Sequence, residues 1–440
     1  MSIFSSLFKK PIEDPKIKFG RFSDSYKEDI QYDYWDKAIA EYEAGNYLPS
    51  FEHFLRYLKD DSISNVSYRK EGDKIRFTLF QGSKKMTGFA TSDRLYAEVK
   101  IAEYSELDIG FLRGLIEKNF HLKYSRYALD DENCITMVFD THALDASPYK
   151  LYYALKELGT NADRQDDVMI SEFDVLKRVN TGHIRDISLQ EKEIKFNFLK
   201  KSINDVLAVI KNGRLNLSHY PGAASYLILS LVYRLDFLIK PEGVTMENIE
   251  QIHNIFFKDS TISAHRKNEL MRNELLEILE ITPQEFQEEI YEVLSTFGIT
   301  QPSGIERLRS MIQSDLENMD WYQDNNYEIY AMAVPGYIVG YCLYSYALPS
   351  PVRALLLLYY KIFSSDYFTA LGFNNVFYVT GSGLQKKRIL REIKSIEKRY
   401  ADQYARFRID TRALSFIDDC HFARSYMQML YNIKLNRIKK

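Results

Sequence analysis

A change of periodicity near residue 180 most constrains how this chain can fold. Between residues 30 and 180, short segments rich in β-branched and aromatic residues alternate with helical segments, and turn residues separate them. From residue 188 onward, apolar residues recur mostly at helical spacing. The 440 residues are therefore predicted to form an N-terminal extension over 1–29, an α+β domain over 30–180 and an all-helical domain over 188–440.

The α+β domain is predicted to begin with a helix hairpin over 34–59, because Gly45-Asn46 interrupts two runs of helical spacing. A further helix is predicted to start at Pro148 and to end at Gly159. Between them, the predicted elements are strands at 65–69, 74–80 and 95–102, a helix at 106–119 with Leu107 on its apolar face, and strands at 125–129 and 134–139. They predict an antiparallel sheet of about five strands with flanking helices.

This order, which is helix, three strands, helix, two strands and helix, resembles that of type III secretion chaperones and the related YbjN-like bacterial domains over residues 30–175. The resemblance implies a compact unit with a curved antiparallel sheet that does no chemistry. It implies binding of an extended or partly folded partner segment, or of a second copy, and usually a dimer. The family has no fixed functional motif, so the resemblance assigns no functional residues to this chain.

The helical domain carries three helix-start signals of the capping-box type, at Ser188–Glu191, Thr282–Glu285 and Ser303–Glu306. The helical runs that follow the first of them are 222–239, 246–257, 264–279, 284–297, 305–320, 352–370, 384–405 and 412–435. No repeat period connects these runs, so they predict an irregular helical bundle and not a solenoid.

Charge is divided unevenly within the helical domain. Residues 251–350 carry 6 basic and 15 acidic side chains, whereas residues 351–440 carry 17 basic and 7 acidic side chains. Four of the basic residues share one face of a predicted helix at 386–399, namely Lys387, Arg391, Lys394 and Lys398. The simplest interpretation is that the two blocks pack against each other or are solvated. A surface for nucleic acid or an acidic partner, and contact with an anionic membrane, are the alternatives.

A glycine-rich turn precedes the basic helix. Residues 375–380 are strand-like, and Gly381, Ser382 and Gly383 follow them. Backbone amides at such a turn can hold a phosphate group, here with help from the adjacent basic residues. The sequence has no Walker loop and no GxGxxG motif, so a flexible turn is the simpler interpretation.

The sequence contains no recognisable catalytic or metal-binding motif. It has no HExxH, no CxxC and no GxSxG, and we predict neither a metal nor a cofactor. Asp418-Asp419-Cys420-His421 brings four polar residue types together, but consecutive residues on a helix point in different directions. We therefore expect a helix with Cys420 inside and an aspartate in water.

The three cysteines cannot build a disulfide framework, which favours a reducing compartment. The apolar residues Ile3, Phe4, Leu7 and Phe8 do not form a secretory signal, so a free or docked end is expected. Residues 331–348 carry no charge but include Pro335 and two glycines, and they predict a buried helix and not a membrane span. We therefore expect a cytoplasmic protein without a membrane span.

These features favour a non-enzymatic protein that binds a partner polypeptide through an exposed sheet edge or groove of the α+β domain. A homodimer is expected from the resemblance. Nucleic-acid or phosphate binding through the basic helix is the second hypothesis, and an enzyme whose site is assembled from distant residues is the third. The partner and the role of the helical domain do not follow from the sequence.

Overall fold

The structure, a computed structural model, describes residues 14–24, 26–27, 29–61, 63–106, 109–172, 175–258, 260–298, 300–405 and 407–436. The apolar end formed by Ile3, Phe4, Leu7 and Phe8 lies outside the described residues, as does Leu107. The architecture is an N-terminal antiparallel sheet with helices, followed by a helical region, which confirms the predicted fold class.

The chain enters the α+β domain through the predicted helix hairpin. Helix α1 (Asp29–Glu43) and helix α2 (Tyr47–Leu58) are joined at Gly45, which adopts the left-handed conformation with φ 77°. The Ser50 hydroxyl donates a hydrogen bond of 2.7 Å to the Ala38 carbonyl inside this hairpin. The close contact of the two helices therefore satisfies a buried polar group.

The sheet has seven strands, and all its pairings are antiparallel. The strands are β1 (Val66–Glu71), β2 (Lys74–Gln81), β3 (Lys84–Ala90), β4 (Arg94–Tyr104), β5 (Arg126–Leu129), β6 (Cys134–His142) and β7 (Leu176–Arg178). Their order is β1-β2-β3-β4-β6-β5, and β7 pairs with the end of β4. Helix α3 (Ile109–Asn119) lies beside β5, and helix α4 (Pro148–Glu172) packs on β4 and β6.

Strand β3 was not predicted, and its composition explains why. Its inward positions are Lys84, Met86, Gly88 and Ala90, so a lysine and a glycine stand where apolar residues are expected. The strand therefore lacks the alternation of apolar and polar residues that identifies a half-buried strand in a sequence. The Lys84 ammonium is buried and donates to the Ile101 carbonyl at 2.8 Å. A Cβ at Gly88 would lie 2.4 Å from the Phe77 ring, so only glycine fits there.

Helix α4 starts at Pro148, as predicted, but the prediction that it ends at Gly159 was wrong. The helix continues to Glu172. Gly159 lies where the helix crosses the sheet, and a Cβ there would be 3.2 Å from Gln81 and 3.3 Å from Met86. This glycine is therefore a point of close packing and not a helix end.

The C-terminal region contains eleven α-helices among the described residues. They are α5 (Leu189–Asn212), α6 (Pro221–Ile239), α7 (Gly243–Phe257), α8 (Ala264–Glu280), α9 (Pro283–Glu288), α10 (Ile305–Asp324), α11 (Glu328–Ser345), α12 (Ser350–Phe363), α13 (Ser365–Ala370), α14 (Lys386–Tyr400) and α15 (Asp419–Tyr431). Three two-stranded ladders accompany them: β8 (Arg185–Asp186) with β9 (Tyr291–Glu292), β10 (Gln301–Pro302) with β11 (Tyr346–Ala347), and β12 (Tyr378–Val379) with β13 (Gly383–Leu384).

Several helices are shorter than predicted because tertiary contacts replace helical hydrogen bonds. The run 284–297 is helical only to Glu288, since the chain then enters β9 and crosses to the N-terminal sheet. The run 412–435 becomes helical only at Asp419. The capping signals at Ser188 and Thr282 are confirmed by their hydrogen bonds. The signal at Ser303 was wrong, because Gly304 occupies the N-cap position.

Helices α6 and α11 form the centre of the helical core. The buried helix predicted at 331–348 is confirmed as α11. Small residues on it allow a close approach to α6. A Cβ at Gly336 would lie 2.4 Å from the Ser230 hydroxyl oxygen, and one at Gly340 would lie 2.7 Å from Tyr233. Among the described residues, one helix (α6) is long and apolar enough to cross a membrane by length and composition, and 78% of its most apolar window is buried in the protein.

Two segments hold the sheet and the helical region together. The first is the described part of the N-terminal extension, where Arg21 pairs with Asp236 of α6 and Asp24 accepts a hydrogen bond from the Tyr152 hydroxyl of α4. The second is 289–298, in which the Thr296 hydroxyl donates to the Phe80 carbonyl at 2.8 Å and Phe297 joins the core of the sheet domain. Much of this contact is polar and buried, so the two regions form a specific interface.

Candidate functional site

The four basic residues singled out from the sequence lie in one exposed row on α14. Lys387, Arg391, Lys394 and Lys398 are all exposed. The opposite face of the helix buries Ile389, Ile393 and Ile396 almost completely. Lys394 pairs with the buried Glu397, and within the described part of the chain the other three form no ion pair. The row is a solvated face of an amphipathic helix.

The acidic and basic blocks pack against each other where α10 and α11 contact α15, but the basic row on α14 takes no part in this contact. Arg424 pairs with Asp320 across them through two contacts of 2.5 and 2.8 Å. The buried Glu397 carboxylate takes its partners from its own block, accepting from Arg408 at 2.9 Å and from the Ile409 amide at 2.9 Å. The row on α14 therefore does not pair with the acidic segment.

The glycine-rich turn forms the tip of the β12–β13 hairpin. Gly381 and Gly383 both adopt left-handed conformations, with φ 85° and 67°. Helix α14 begins after Gln385, whose side-chain amide donates to the Gly383 carbonyl at 3.1 Å. The positive φ angles of the hairpin explain both glycines without a bound phosphate.

The Asp418–His421 segment matches its expected structural role. Asp418 caps α15 and accepts from the His421 amide at 2.8 Å, and its second oxygen lies 2.7 Å from the His421 ring. Cys420 is buried, and burial raises the pKa of its thiol to about 11. The thiol is therefore protonated and not a nucleophile near neutral pH. No cluster of His, Cys, Asp and Glu in the described residues could hold a metal ion.

The two edges of the sheet are protected in different ways. At β5, the Asn119 side chain accepts from the Tyr127 amide at 2.7 Å and so occupies part of the outer backbone. Just before β5, the Glu157 carboxylate accepts from the Tyr124 and Ser125 amides, both at 2.9 Å. At β1, most residues are polar and exposed, which discourages strand addition. Neither of these two edges therefore offers an apolar strand to the partner segment that was expected to bind at a sheet edge.

The strongest candidate for a protein-binding surface is instead helix α3. Three large apolar residues on it are exposed: Ile109 at 85%, Ile116 at 69% and Phe120, just after the helix, at 89%. Their spacing of seven and four places them on one face, turned away from the side of the helix that carries the buried Leu115. We call this row the α3 stripe. Arg113 lies on the same face, between Ile109 and Ile116, and pairs with Glu117 at 3.0 Å, so the charge within the stripe is compensated.

A second candidate site is a cavity of about 660 Å³ between the two regions. Its walls come from residues 18–23 of the extension, the Gln81-Gly82 turn, α4, residues 291–297 and the ends of α6, α12 and α14. The turn at Gly82 (φ 55°) is held by Asp163, which accepts from the Ser83 amide at 2.6 Å. Cavities of this size commonly hold small molecules.

The lining of the cavity is rich in charge. Seven Lys and Arg side chains and five Asp and Glu side chains of the described residues line it. Arg21 donates to Asp236 at 2.8 Å, to Glu242 at 3.2 Å and to the Pro241 carbonyl at 2.7 Å. It serves as the structural link between the extension and α6. We call this space the interdomain cavity.

Neither candidate site is signalled by the amino-acid sequence alone. The 106–119 helix was predicted, but the sequence does not show that Ile109, Ile116 and Phe120 stay exposed. The cavity assembles residues from positions 18 to 400, a separation that no local motif can signal. The comparisons add no further guide, since no protein-family model matches the chain and a search of curated proteins finds no match.

Proposed function

We propose that this chain is a non-enzymatic, cytoplasmic protein that binds a partner polypeptide through the N-terminal domain, with the α3 stripe as its docking surface. The observation that carries the proposal is the exposure of Ile109, Ile116 and Phe120 on one helix face. Contiguous exposed apolar side chains are characteristic of interaction sites. The three cysteines, all buried and unpaired, support the cytoplasmic part of the proposal.

The chemistry of the stripe defines the partner segment. The Arg113–Glu117 ion pair leaves little uncompensated charge beside the apolar side chains. Affinity would therefore come from apolar burial, at roughly 25 cal/mol for each Å² removed from water. The partner segment is an amphipathic helix or a short apolar stretch, recognised by apolar anchors spaced like those of α3. The family resemblance over residues 30–175, which implies binding of partner segments, supports the same class of ligand.

The experiment uses a phage-displayed library of random peptides selected on the full chain. The test variant is Ile116→Asp with Phe120→Asp, and it serves for counter-selection. The matched control is Leu189→Asp with Ile417→Asp, which replaces two equally exposed apolar residues of the helical region. We expect enriched peptides with periodic apolar residues that bind the wild type and the control, and that bind the test variant at least about tenfold more weakly.

Two outcomes would contradict the proposal. One is that no peptide is enriched on the full chain, and the other is that enriched peptides bind the test variant as well as the wild type. Light scattering on the same samples determines whether the chain is the expected homodimer. A dimer that the double substitution dissociates would make a second copy the occupant of the stripe, in place of a separate partner.

A further inference from the structure

We propose that the interdomain cavity is a binding site for a small phosphorylated molecule of nucleotide size, held by Arg353 and Lys240. The cavity's volume of about 660 Å³ lies in the range of small-molecule pockets. The site is distinct from the α3 stripe, and this proposal does not depend on the proposed function. It rests on which charges in the cavity lack a counter-charge.

The acidic residues of the cavity are largely committed to partners in the protein. Glu242 pairs with Arg21 at 3.2 Å, and Glu250 pairs with Arg164 at 2.9 Å. Asp163 holds the turn at Gly82 through the Ser83 amide. These three carboxylates therefore stabilise the walls. Asp60 and Glu292 also line the cavity, and Glu292 lies near Lys240, but the seven basic side chains still outnumber the five acidic ones.

Five basic side chains of the cavity form no ion pair with any residue that the structure describes. They are Lys18, Arg185, Lys240, Arg353 and Arg399. Cationic groups gathered around a partly enclosed space strengthen the local positive potential, because the low-dielectric walls screen it less than water does. An anion inside the cavity would supply the missing counter-charge.

Arg353 is held at the cavity wall by a limited set of contacts. Its Nη2 atom donates to the Phe19 carbonyl at 3.1 Å, and its guanidinium lies 5.9 Å from the centre of the Tyr26 ring. The extension passes close to Arg353 at Gly20, whose φ is 75°. A Cβ at this position would lie 3.0 Å from the Arg353 Nη2 atom and 2.4 Å from the Phe237 ring. A guanidinium has five N–H donors in a planar fork, which suits phosphate oxygens.

Lys240 occupies an unusual backbone position at the end of α6. Its φ of 54° is left-handed, a conformation that residues other than glycine rarely adopt. The side chain is half-buried, and burial and the nearby Lys195 lower the pKa of its ammonium by more than Glu292 and Glu242 raise it. Strained residues of this kind are concentrated at functional sites. A bound anion would offset the cost of keeping this charge inside.

Aromatic side chains complete the walls and provide the second half of the ligand's chemistry. Phe19, Tyr26, Tyr291 and Tyr400 line the cavity together with the cations. Flat rings bind planar heterocycles by stacking, while the cations bind phosphate. A molecule with a ring and a phosphate group matches both sets of contacts.

The test measures binding to the full chain by isothermal titration calorimetry, with ADP, inorganic pyrophosphate and adenosine as probes. The first variant is Arg353→Gln with Lys240→Gln. The second is Arg399→Gln, which changes an exposed residue of the cavity wall. The control is Lys387→Gln with Arg391→Gln, which removes two charges from the exposed face of α14. Thermal unfolding of each variant establishes that it is folded.

We expect ADP and pyrophosphate to bind and adenosine to bind far more weakly. The double cavity variant should weaken ADP binding at least about tenfold, Arg399→Gln a few-fold, and the control not at all. Absence of ADP binding at millimolar concentration would overturn the proposal. So would equal binding of adenosine and ADP, or ADP binding that weakens in the control and stays unchanged in both cavity variants.

Discussion

Helices α3 and α14 are both amphipathic and both lie at the surface, yet they face solvent with opposite sides. Helix α14 buries Ile389, Ile393 and Ile396 and exposes charge. Helix α3 buries Leu115 but leaves Ile116 and its apolar neighbours in water. The comparison shows that the more conspicuous sequence feature, a row of basic residues, is already explained by solvation. The less conspicuous one is the feature on which the proposed partner binding rests.

The largest expected effect is the difference in protein stability between a substitution on α14 and one on α3. Ile393→Asp places a carboxylate in the helical core and should lower the free energy of unfolding by at least about 4 kcal/mol. Ile116→Asp changes an exposed position and should alter it by less than about 0.5 kcal/mol. Urea unfolding of both variants measures the difference. Equal destabilisation would show that the face of α3 is buried in the native protein.

A half-buried carboxylate, that of Glu157, holds the segment that joins α3 to β5. The two carboxylate oxygens of Glu157 accept hydrogen bonds from the amides of Lys123, Tyr124 and Ser125. A glutamine side chain has only one oxygen that can accept. Glu157→Gln should therefore cost about 1–3 kcal/mol. Denaturant titration at pH 7 checks the value, with the exposed Glu132→Gln as control.

The same carboxylate predicts a pH dependence. Burial raises its pKa, but the hydrogen bonds from the Ser125, Lys123 and Tyr124 amides outweigh burial, so the net pKa lies below the ordinary value. Its contribution is therefore present above the unfolded pKa of about 4.3 and is lost as the pH falls through the folded pKa. Wild-type stability should fall more steeply than that of Glu157→Gln between about pH 5 and pH 3. Parallel curves would contradict this role.

The smallest expected effect concerns α14. Charge reversal by Lys387→Glu with Arg391→Glu should change the affinity for a selected peptide by less than about twofold, because these residues lie outside the α3 stripe. Affinity should also vary little between low and high salt, since apolar contacts supply it. Fluorescence anisotropy of a labelled peptide measures both. A strong dependence on salt, lost on charge reversal, would favour the nucleic-acid or acidic-partner hypothesis.

The sequence predicted the fold class because periodicity and capping are local properties. The Thr282–Glu285 capping box formed as expected, and so did the hairpin at Gly45. Failures occurred where packing decided the outcome. Contacts with the neighbouring strands determine which residues fit at Lys84 and Gly88 of β3, and contacts with the sheet do the same at Gly159 of α4. A single sequence does not show such neighbours.

The candidate sites could not be predicted for a related reason. The hydrophobic period identifies the face of α3 that carries the buried Leu115, but it does not show that Ile109, Ile116 and Phe120 form a second, exposed apolar face. The interdomain cavity depends on Arg353 meeting Phe19 and Tyr26, more than 300 positions apart in the chain. Only the folded arrangement brings these groups together.

The most direct test of the central claim is hydrogen exchange of the full chain with and without a bound peptide from the library selection. The account predicts slower exchange over residues 109–120 in the complex, and unchanged exchange over α14. Protection at α14, at β1 or at the cavity wall, with exchange in α3 unaltered, would contradict the assignment of the α3 stripe as the docking surface.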